Sequence, residues 1–479
     1  FSKCGKYLNK TEEKKLHIDI LTRRRLGSIS GVYKDVWDKL LKGDGDIKPT
    51  LNFQMISVLA IYILETNPLI LKSLRKTYSQ VFLDEFQDTT RLQYALIKVC
   101  FYGSETTITA VGDNRQRIML WAGAYPDIFE SYKADFTAKE YTLIMNHRSA
   151  PRLLEIQKIA NNYLQDVPFY PIANPRWTED EGVAEIWYFK NSISEAEYIA
   201  ERIEELISHQ QISPRDICIV VKQTAQKFTD EINSALEEGD IQFRNEATFQ
   251  DLLKEDIVIL ILNTLKSALD TKNSDAWSFI WNAKIFFEGK SGTANIHSID
   301  ELKRKLKVQL KIVKESLQTI THQEALDVLL TDIVNFYDIN KLRKHYLQYS
   351  QGDYINKLRE ELTKYLFQYY VIKNKWISAI DSFQGYDSIP IMTIHKSKGL
   401  EFEAVFFVGF DDNAFWTFSF QKEEDTCTFF VGLSRSKKYL YFTFSENRFG
   451  KINTHNNIAP LYKILKESKI VEERYIGFN

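Results

Sequence analysis

The 479-residue chain has only four cysteines, Cys4, Cys100, Cys218 and Cys427, and none forms a C-x-x-C pair or a Cys/His cluster. That spacing suggests neither a zinc site nor a disulfide framework and favours a reducing, intracellular setting, the cytoplasm. No apolar run reaches the ~18 residues needed to span a membrane. The longest apolar-rich stretch, DIVILILNTL, is short and flanked by charge. No secretory signal is visible at the start. An excess of one charge is also lacking: 62 Lys and Arg stand against 64 Asp and Glu, a net charge of −2. Charge alone therefore does not announce a nucleic-acid binder, although a neutral total can hide a local basic groove. With 44% hydrophobic and 26% charged residues the composition is that of an ordinary globular protein, and the length suits about three domains.

Against this even background, VFLDEFQDTT (81–90) is dense in carboxylates. Val81, Phe82 and Leu83 read as the end of a strand buried on both faces, as in parallel sheets. Asp84 and Glu85 then stand at the carboxyl edge, where open α/β sheets bind ligands. A pair of acids there suits a magnesium nucleotide, one holding the ion and the other polarising a water. A helix N-terminus, whose dipole favours acids, explains the pair equally well.

Four further segments shift the balance. TTITAVGDNRQRIMLWAGA (106–124) is a second apolar strand ending in Gly-Asp, followed by a polar loop and a Trp. LIMNHRSAPRLLEI (143–156), IPIMTIHKSKGLEFEAVFFVGF (389–410) and TFFVGLSRSKKYLYFTFS (428–445) each set a strand or helix beside Arg, Lys, His or Glu. In this order DEFQD, VGDNRQ, NHRS, TIHKSKGLEF and VGLSRSK resemble the superfamily 1 DNA helicases of the UvrD/Rep/PcrA group. Residues 216–265 also resemble that family where it enters its second motor domain, and the likeness runs from about residue 51 onward.

The resemblance implies an α/β fold with two RecA-like parallel-sheet motor domains, mostly helical insertions, and ATP with Mg2+ in the cleft between them. Asp84 then resembles the magnesium-associated acid and Glu85 the catalytic base. Gln116 resembles the glutamine that senses the γ-phosphate. Arg148 and Arg435 match the two arginines that reach that phosphate, where guanidinium groups neutralise charge on the phosphoryl oxygens. Glu401 resembles the ribose contact, and Thr393 and His395 sit where the family meets the DNA backbone. Trp121 falls where an aromatic stacks on a base of single-stranded DNA. Singly, each has a plainer account: a surface ion pair for either arginine, a satisfied structural histidine, a core tryptophan. Their joint order favours the functional reading. Two departures stand beside Trp121, Met119 for the usual Tyr and Ala122 for the usual Arg, which suggests weaker or differently tuned DNA gripping.

The family's phosphate cradle, G-x-x-x-x-G-K-[ST], is missing from the 479 residues. The one GK[ST] is Gly289-Lys290-Ser291, with Lys284 at the first glycine position, and it reads as a loop of the inserted domain. Since the chain begins at Phe1, the expectation is that the cradle lies upstream, that the chain as given hydrolyses no appreciable ATP, and that an upstream-extended chain does.

The expected division is a helical insertion of the first motor domain at 1–50, the C-terminal part of that domain at 51–175, the second motor domain at 176–265 and 385–479, and a helical inserted subdomain at 266–384. TRRRLG (22–27) reads as a solvated basic face or a phosphate contact. In ELKRKLKVQLKIVKESL (301–317), Leu302, Leu306, Leu310, Val313 and Leu317 share one helical face and Lys303, Lys307, Lys311 and Lys314 a neighbouring one. KYLFQYYVIKNKW (364–376) interleaves aromatics and lysines, with core packing favoured over base stacking. No nuclease segment follows residue 446, so cutting would need a partner. The leading reading is an ATP-driven helicase or translocase, 3′ to 5′, on single-stranded and junction DNA in repair, recombination or phage defence. The alternative is a DNA-sensing ATPase subunit that regulates a partner nuclease or effector in an anti-phage complex.

Overall fold

A computed structural model describes residues 11, 32–45, 48–164, 170–289, 296–350 and 352–478. TRRRLG, most of the 1–50 stretch, and Lys290 and Ser291 lie outside the described residues.

The first lobe is small. Helix α1 (Phe53–Thr66) opens on Asn52, whose side chain accepts from the Met55 N–H. Strand β1 (Gln80–Leu83) follows, then α2 (Arg91–Phe101), which starts with a reciprocal capping box between Thr90 and Gln93. Strand β2 (Thr107–Ala110) pairs parallel with β1, Leu83 opposite Ala110, and puts Asp84 and Asp113 at the same edge. Phe86, Tyr94, Ile128 and Tyr132 form the core beneath. The expectation of a strand buried on both faces is corrected here: β1 alternates exposed and half-buried, and Phe82 is 72% exposed. Among the described residues β1 and β2 form a two-stranded sheet, and little covers the face that carries Phe82. A second short pair, β3 (Met145–Asn146) with β4 (Ile172–Ala173), flanks α3 (Pro151–Leu164). Although α3 falls on the 51–175 side of the expected division, its Leu153, Ile156 and Ala160 sit in the core of the large sheet.

That sheet is built from β5 (Val183–Asn191), β6 (Ile217–Val221), β7 (Phe243–Asn245), β8 (Ile389–Thr393), β9 (Phe402–Val408), β10 (Ser436–Arg448) and β12 (Glu472–Ile476). Their spatial order is β12-β5-β10-β9-β6-β8-β7, all parallel, with β11 (Lys451–Ile452) folded back on β10. Helix α4 (Ser192–Ser208) follows β5, with its inward face of Ala196, Ile199 and Ile203 buried. The central strands read ICIVV and FEAVFFV, near-continuous apolar runs, because helices cover both faces.

Between β7 and β8 the chain runs through helices with a core of their own. There α5 (Ile296–Thr319) buries Leu302, Leu306, Leu310, Val313 and Leu317 and exposes Lys303, Lys307, Lys311 and Lys314, as the spacing predicts. In KYLFQYYVIKNKW, Leu366 is buried and Tyr370 stacks on Trp376 with centroids 3.8 Å apart, so this segment packs a core. After β8 come the single turn α6 (Ile394–Ser397), and after β9 the helix α7 (Lys422–Leu433). No single helix among the described residues is long and apolar enough to cross a membrane.

Candidate active site

The two lobes meet where the carboxyl ends of β1 and β2 face α6, α7 and the start of β10. On the small lobe the chain leaves β1 through Asp84, whose Oδ1 accepts the Glu85 N–H at 2.8 Å. Glu85 itself is left-handed, φ +48°, a conformation that costs a non-glycine residue of order 1–3 kcal/mol and collects at functional sites. This turn aims its carboxylate across the cleft. Gln87, fully buried, donates to Glu85 Oε2 at 2.6 Å and accepts the Asp113 N–H at 3.0 Å, which locks the two strand ends together. The lock needs Gly112, since a Cβ there would stand 2.3 Å from Gln87 Oε1.

Gln116 sits on the turn after β2. Its amide donates to Asp113 Oδ2 at 3.2 Å, and its Oε1 accepts from Arg435 Nη2 at 2.9 Å. Arg435 is buried at the end of α7, anchored by the carbonyls of Val431 and Leu400. Burial, and then the Arg148 charge, push its pKa down to about 10, so it stays cationic at neutral pH. A buried cation without a full ion-pair partner is held ready for an anion. Arg148 approaches from the other side, donating to Glu401 Oε2 at 2.8 Å and to the Ser434 carbonyl at 3.0 Å. The Arg148 bond, chiefly, holds the Glu401 carboxyl below its ordinary value, with Lys437 adding at 3.3 Å. Glu85, Gln116, Arg148, Glu401 and Arg435 thus share one polar network.

Thr393, Thr-capping α6 through a 3.4 Å bond from the Lys396 N–H, and His395 lie one turn away on the same segment. Burial, chiefly, lowers the His395 pKa, which makes the ring neutral at pH 7. Trp121 stands apart from the network. Its turn rests on α7, its backbone N–H facing Glu424 Oε1 at 3.5 Å, and the residue is 67% exposed. Met119 is half-buried against the large sheet and Ala122 is exposed with no charge to offer.

Three participants escaped the motif reading. Gln87 and Asp88 lie inside the quoted DEFQD, and Lys398 inside TIHKSKGLEF. Lys398 Nζ bonds Asp88, reaches Glu85 Oε2 at 3.2 Å and donates to the Gln116 carbonyl at 3.2 Å. A lysine one residue before the chain-reversing Gly399, φ +80°, was the available signal.

The residues fit the groups the family resemblance implies on one side. Asp84, Glu85 and Asp88 are hard oxygen donors, and Asp88 Oδ1 is buried with no hydrogen-bond partner. Among the described residues no cluster of three or more His, Cys, Asp or Glu is arranged to hold an ion by itself. Two arginines face these acids, the complement a γ-phosphate requires. The cradle for the inner phosphates has no counterpart in the 479 residues.

Acids on one parallel-sheet lobe and arginines on another define an α/β protein of the RecA-like kind. Residues 3–137 match the UvrD/REP helicase N-terminal domain, and residues 141–379 and 304–447 match the UvrD-like helicase C-terminal domain. The chain belongs to the UvrD-like helicases, the UvrD/Rep/PcrA group of superfamily 1. It is 27% identical over 480 residues to a probable DNA helicase II homolog of Mycoplasma capricolum, covering 92% of this chain and 64% of that protein. It is 28% identical over 438 residues to a probable DNA helicase II homolog of Mycoplasma pneumoniae, covering 82% and 57%. To the ATP-dependent DNA helicase PcrA of Bacillus subtilis it is 25% identical over 476 residues, covering 89% and 62%. The chain therefore spans about three fifths of the length of these curated relatives.

Proposed function

We propose that the protein is an ATP-dependent DNA helicase that translocates 3′ to 5′ on single-stranded DNA in the cytoplasm, taking single-stranded and junction DNA as substrates in repair or recombination. One observation carries this reading: Arg435 of the large lobe is hydrogen-bonded to Gln116 of the small lobe, beside Glu85. That contact brings Gln116, Glu85 and Arg435 into one cleft, which supports reading them as the phosphate-sensing glutamine, the base and a phosphate-neutralising arginine. The division proposed is a first motor domain up to about residue 175, except that Arg148 and α3 pack with the large sheet, a second at 176–265 and 385–479, and a helical subdomain at 266–384.

In this reading Asp84 would hold Mg2+ and Glu85 would accept a proton from the attacking water. Arg148 and Arg435 would neutralise charge on the γ-phosphate, Gln116 would sense that phosphate, and Glu401 would meet the ribose once Arg148 turns from it. When bound, the magnesium nucleotide supplies the phosphoryl group and its charge. Thr393 and neutral His395 would meet the DNA backbone as hydrogen-bond donors, and Trp121 would stack on a base.

The test is ATP hydrolysis by a natural chain that includes a phosphate-binding loop, with and without oligothymidylate. Arg435→Ala is expected to lower kcat by about 10^3 or more, as for loss of an arginine finger, with DNA binding retained. Residues 1–479 alone are expected to show no appreciable turnover. Robust hydrolysis by residues 1–479 would refute only the expectation that they are inactive alone, whereas an unimpaired Arg435→Ala variant would refute the assignment. The exposed Ala122, which brings no cation to the strand, favours a second reading: a DNA-sensing ATPase that regulates a nuclease or effector partner. DNA-stimulated hydrolysis without strand separation until a partner is added would select it.

A further inference from the structure

At the edge of the small lobe opposite the acids lies a hollow that the nucleotide site does not use. After α1 the chain bends by 101° and runs as the helix Pro68–Thr77 toward the amino end of β1. The turn Gly103–Glu105 likewise precedes β2. Among the described residues, helix and turn line a hollow of about 420 Å³, a size that admits a ligand or an anchoring side chain. β1 and β2 are four residues each, so about 13 Å of strand separates the hollow from Asp84 and Asp113 at the other edge.

Hydrogen bonds fix its walls. Arg75 Nε donates to the Cys100 carbonyl at 2.5 Å, and Nη2 donates to the Val99 and Tyr102 carbonyls at 3.2 and 3.3 Å. The helix is thereby fastened to the carboxyl end of α2, where a cation also suits the helix dipole. Thr106 Oγ1 donates to the Tyr78 carbonyl at 3.0 Å and ties the turn to the end of the same helix. Pro68 and Leu71 form an apolar wall, and the exposed Lys72 and Lys76 stand beside it. Leu69, Lys72 and Lys76 recur at i, i+3 and i+7, so they share one side of the helix, and Leu69 is 81% exposed. Arg75 spends its guanidinium on carbonyls, but among the described residues Lys72 and Lys76 have no ion-pair partner. Singly, a solvated lysine or an exposed leucine is ordinary. Here they frame one concavity with an apolar wall, away from every group placed in the nucleotide site.

We propose that this hollow docks a protein partner through a short acidic segment, an apolar side chain of the partner entering against Pro68 and Leu71 while its carboxylates pair with Lys72 and Lys76. The unpaired lysines select the sign of the partner's charge. The apolar wall selects a protein over a nucleic-acid backbone, because phosphates gain nothing from Pro68, Leu71 and Leu69. This docking uses no group of the nucleotide site and is independent of the helicase reading.

The experiment follows the anisotropy of a short labelled peptide of alternating aspartate and leucine as the full natural chain is added. Binding in the micromolar range, weakened by salt, is expected. Lys72→Glu combined with Lys76→Glu is expected to weaken it about tenfold or more, since like charges then face the peptide. Glu105→Gln, which removes an acid from the lining, should tighten it about twofold, a gain that misfolding cannot produce. A control peptide with serine for leucine should bind about tenfold more weakly, because it has nothing to place against Leu71. Absence of binding by the aspartate–leucine peptide, as when the natural chain itself covers the hollow, would overturn the proposal. Equal binding by the lysine double variant, or by the serine peptide, would overturn it too. A double variant that loses affinity for oligothymidylate but not for the peptide would assign the surface to nucleic acid instead.

Discussion

The two parallel sheets differ in how their strands are used. β6 lies between β9 and β8 with all five residues buried. β1, with comparable letters, has β2 as its single neighbour among the described residues and exposes Phe82. Burial is thus a property of a strand's neighbours, and the apolar run only permits it. The difference extends to polar groups. Beneath the large sheet, Arg448 at the end of β10 pairs with Glu195 of α4 and lies 3.9 Å from Asp411, all three essentially inaccessible. On the small lobe the acids Asp84 and Glu85 stand in solvent. The large lobe thus encloses this charged trio as internal structure, whereas the small lobe presents its acid pair to the cleft.

Three measurements would break or sharpen that contrast. The largest effect is expected for Arg448→Met, which leaves Glu195 buried and unpaired at a cost of about 3–5 kcal/mol. Chemical denaturation followed by far-ultraviolet circular dichroism reads it, and a loss under about 1 kcal/mol would mean that water reaches this network.

A middle effect concerns pH. Burial, opposed by the Asp411 bonds to the Ala414 and Asn413 N–H groups, pushes the Asp411 pKa from its ordinary 3.8 up to about 6. The folded protein therefore keeps this proton longer than the unfolded chain. The stability it contributes is full below about pH 4 and is lost as pH rises through about 6. Asp411→Asn should flatten the stability profile over that window, and an unchanged slope would remove Asp411 as its source.

The smallest effect belongs to Phe82→Ser on the open face of β1, expected within about 0.5 kcal/mol of wild type because little is buried there. A loss of about 2 kcal/mol or more would show that this face is covered in solution, and the two sheets would then be alike.

Much of the site was legible before any coordinates. The acid pair, Gln116, the two arginines and Glu401 carry side-chain chemistry that phosphoryl transfer needs, in a recurring order, and the fold brings five of them into one network. The inward stripe of α5 was equally legible, because five apolar residues at helical spacing can share only one side of a helix. Lys398, Asp88 and Gln87 were not, since a lysine, an acid and a glutamine have no meaning until their partners are placed.

The sequence by itself determined the helical and strand periodicities and the family, and it marked out the candidate residues for a magnesium nucleotide. Only the tertiary structure decided that Lys398 closes on three acceptors from the other lobe, that Arg148 rests on Glu401, that Arg448 and Glu195 are sealed from water, and that Phe82 is not. The reason is range. Periodicity and turn chemistry act over a few residues along the chain, whereas burial and ion pairing depend on distances of a few ångströms between residues hundreds of positions apart, as Asp88 and Lys398 are at 310.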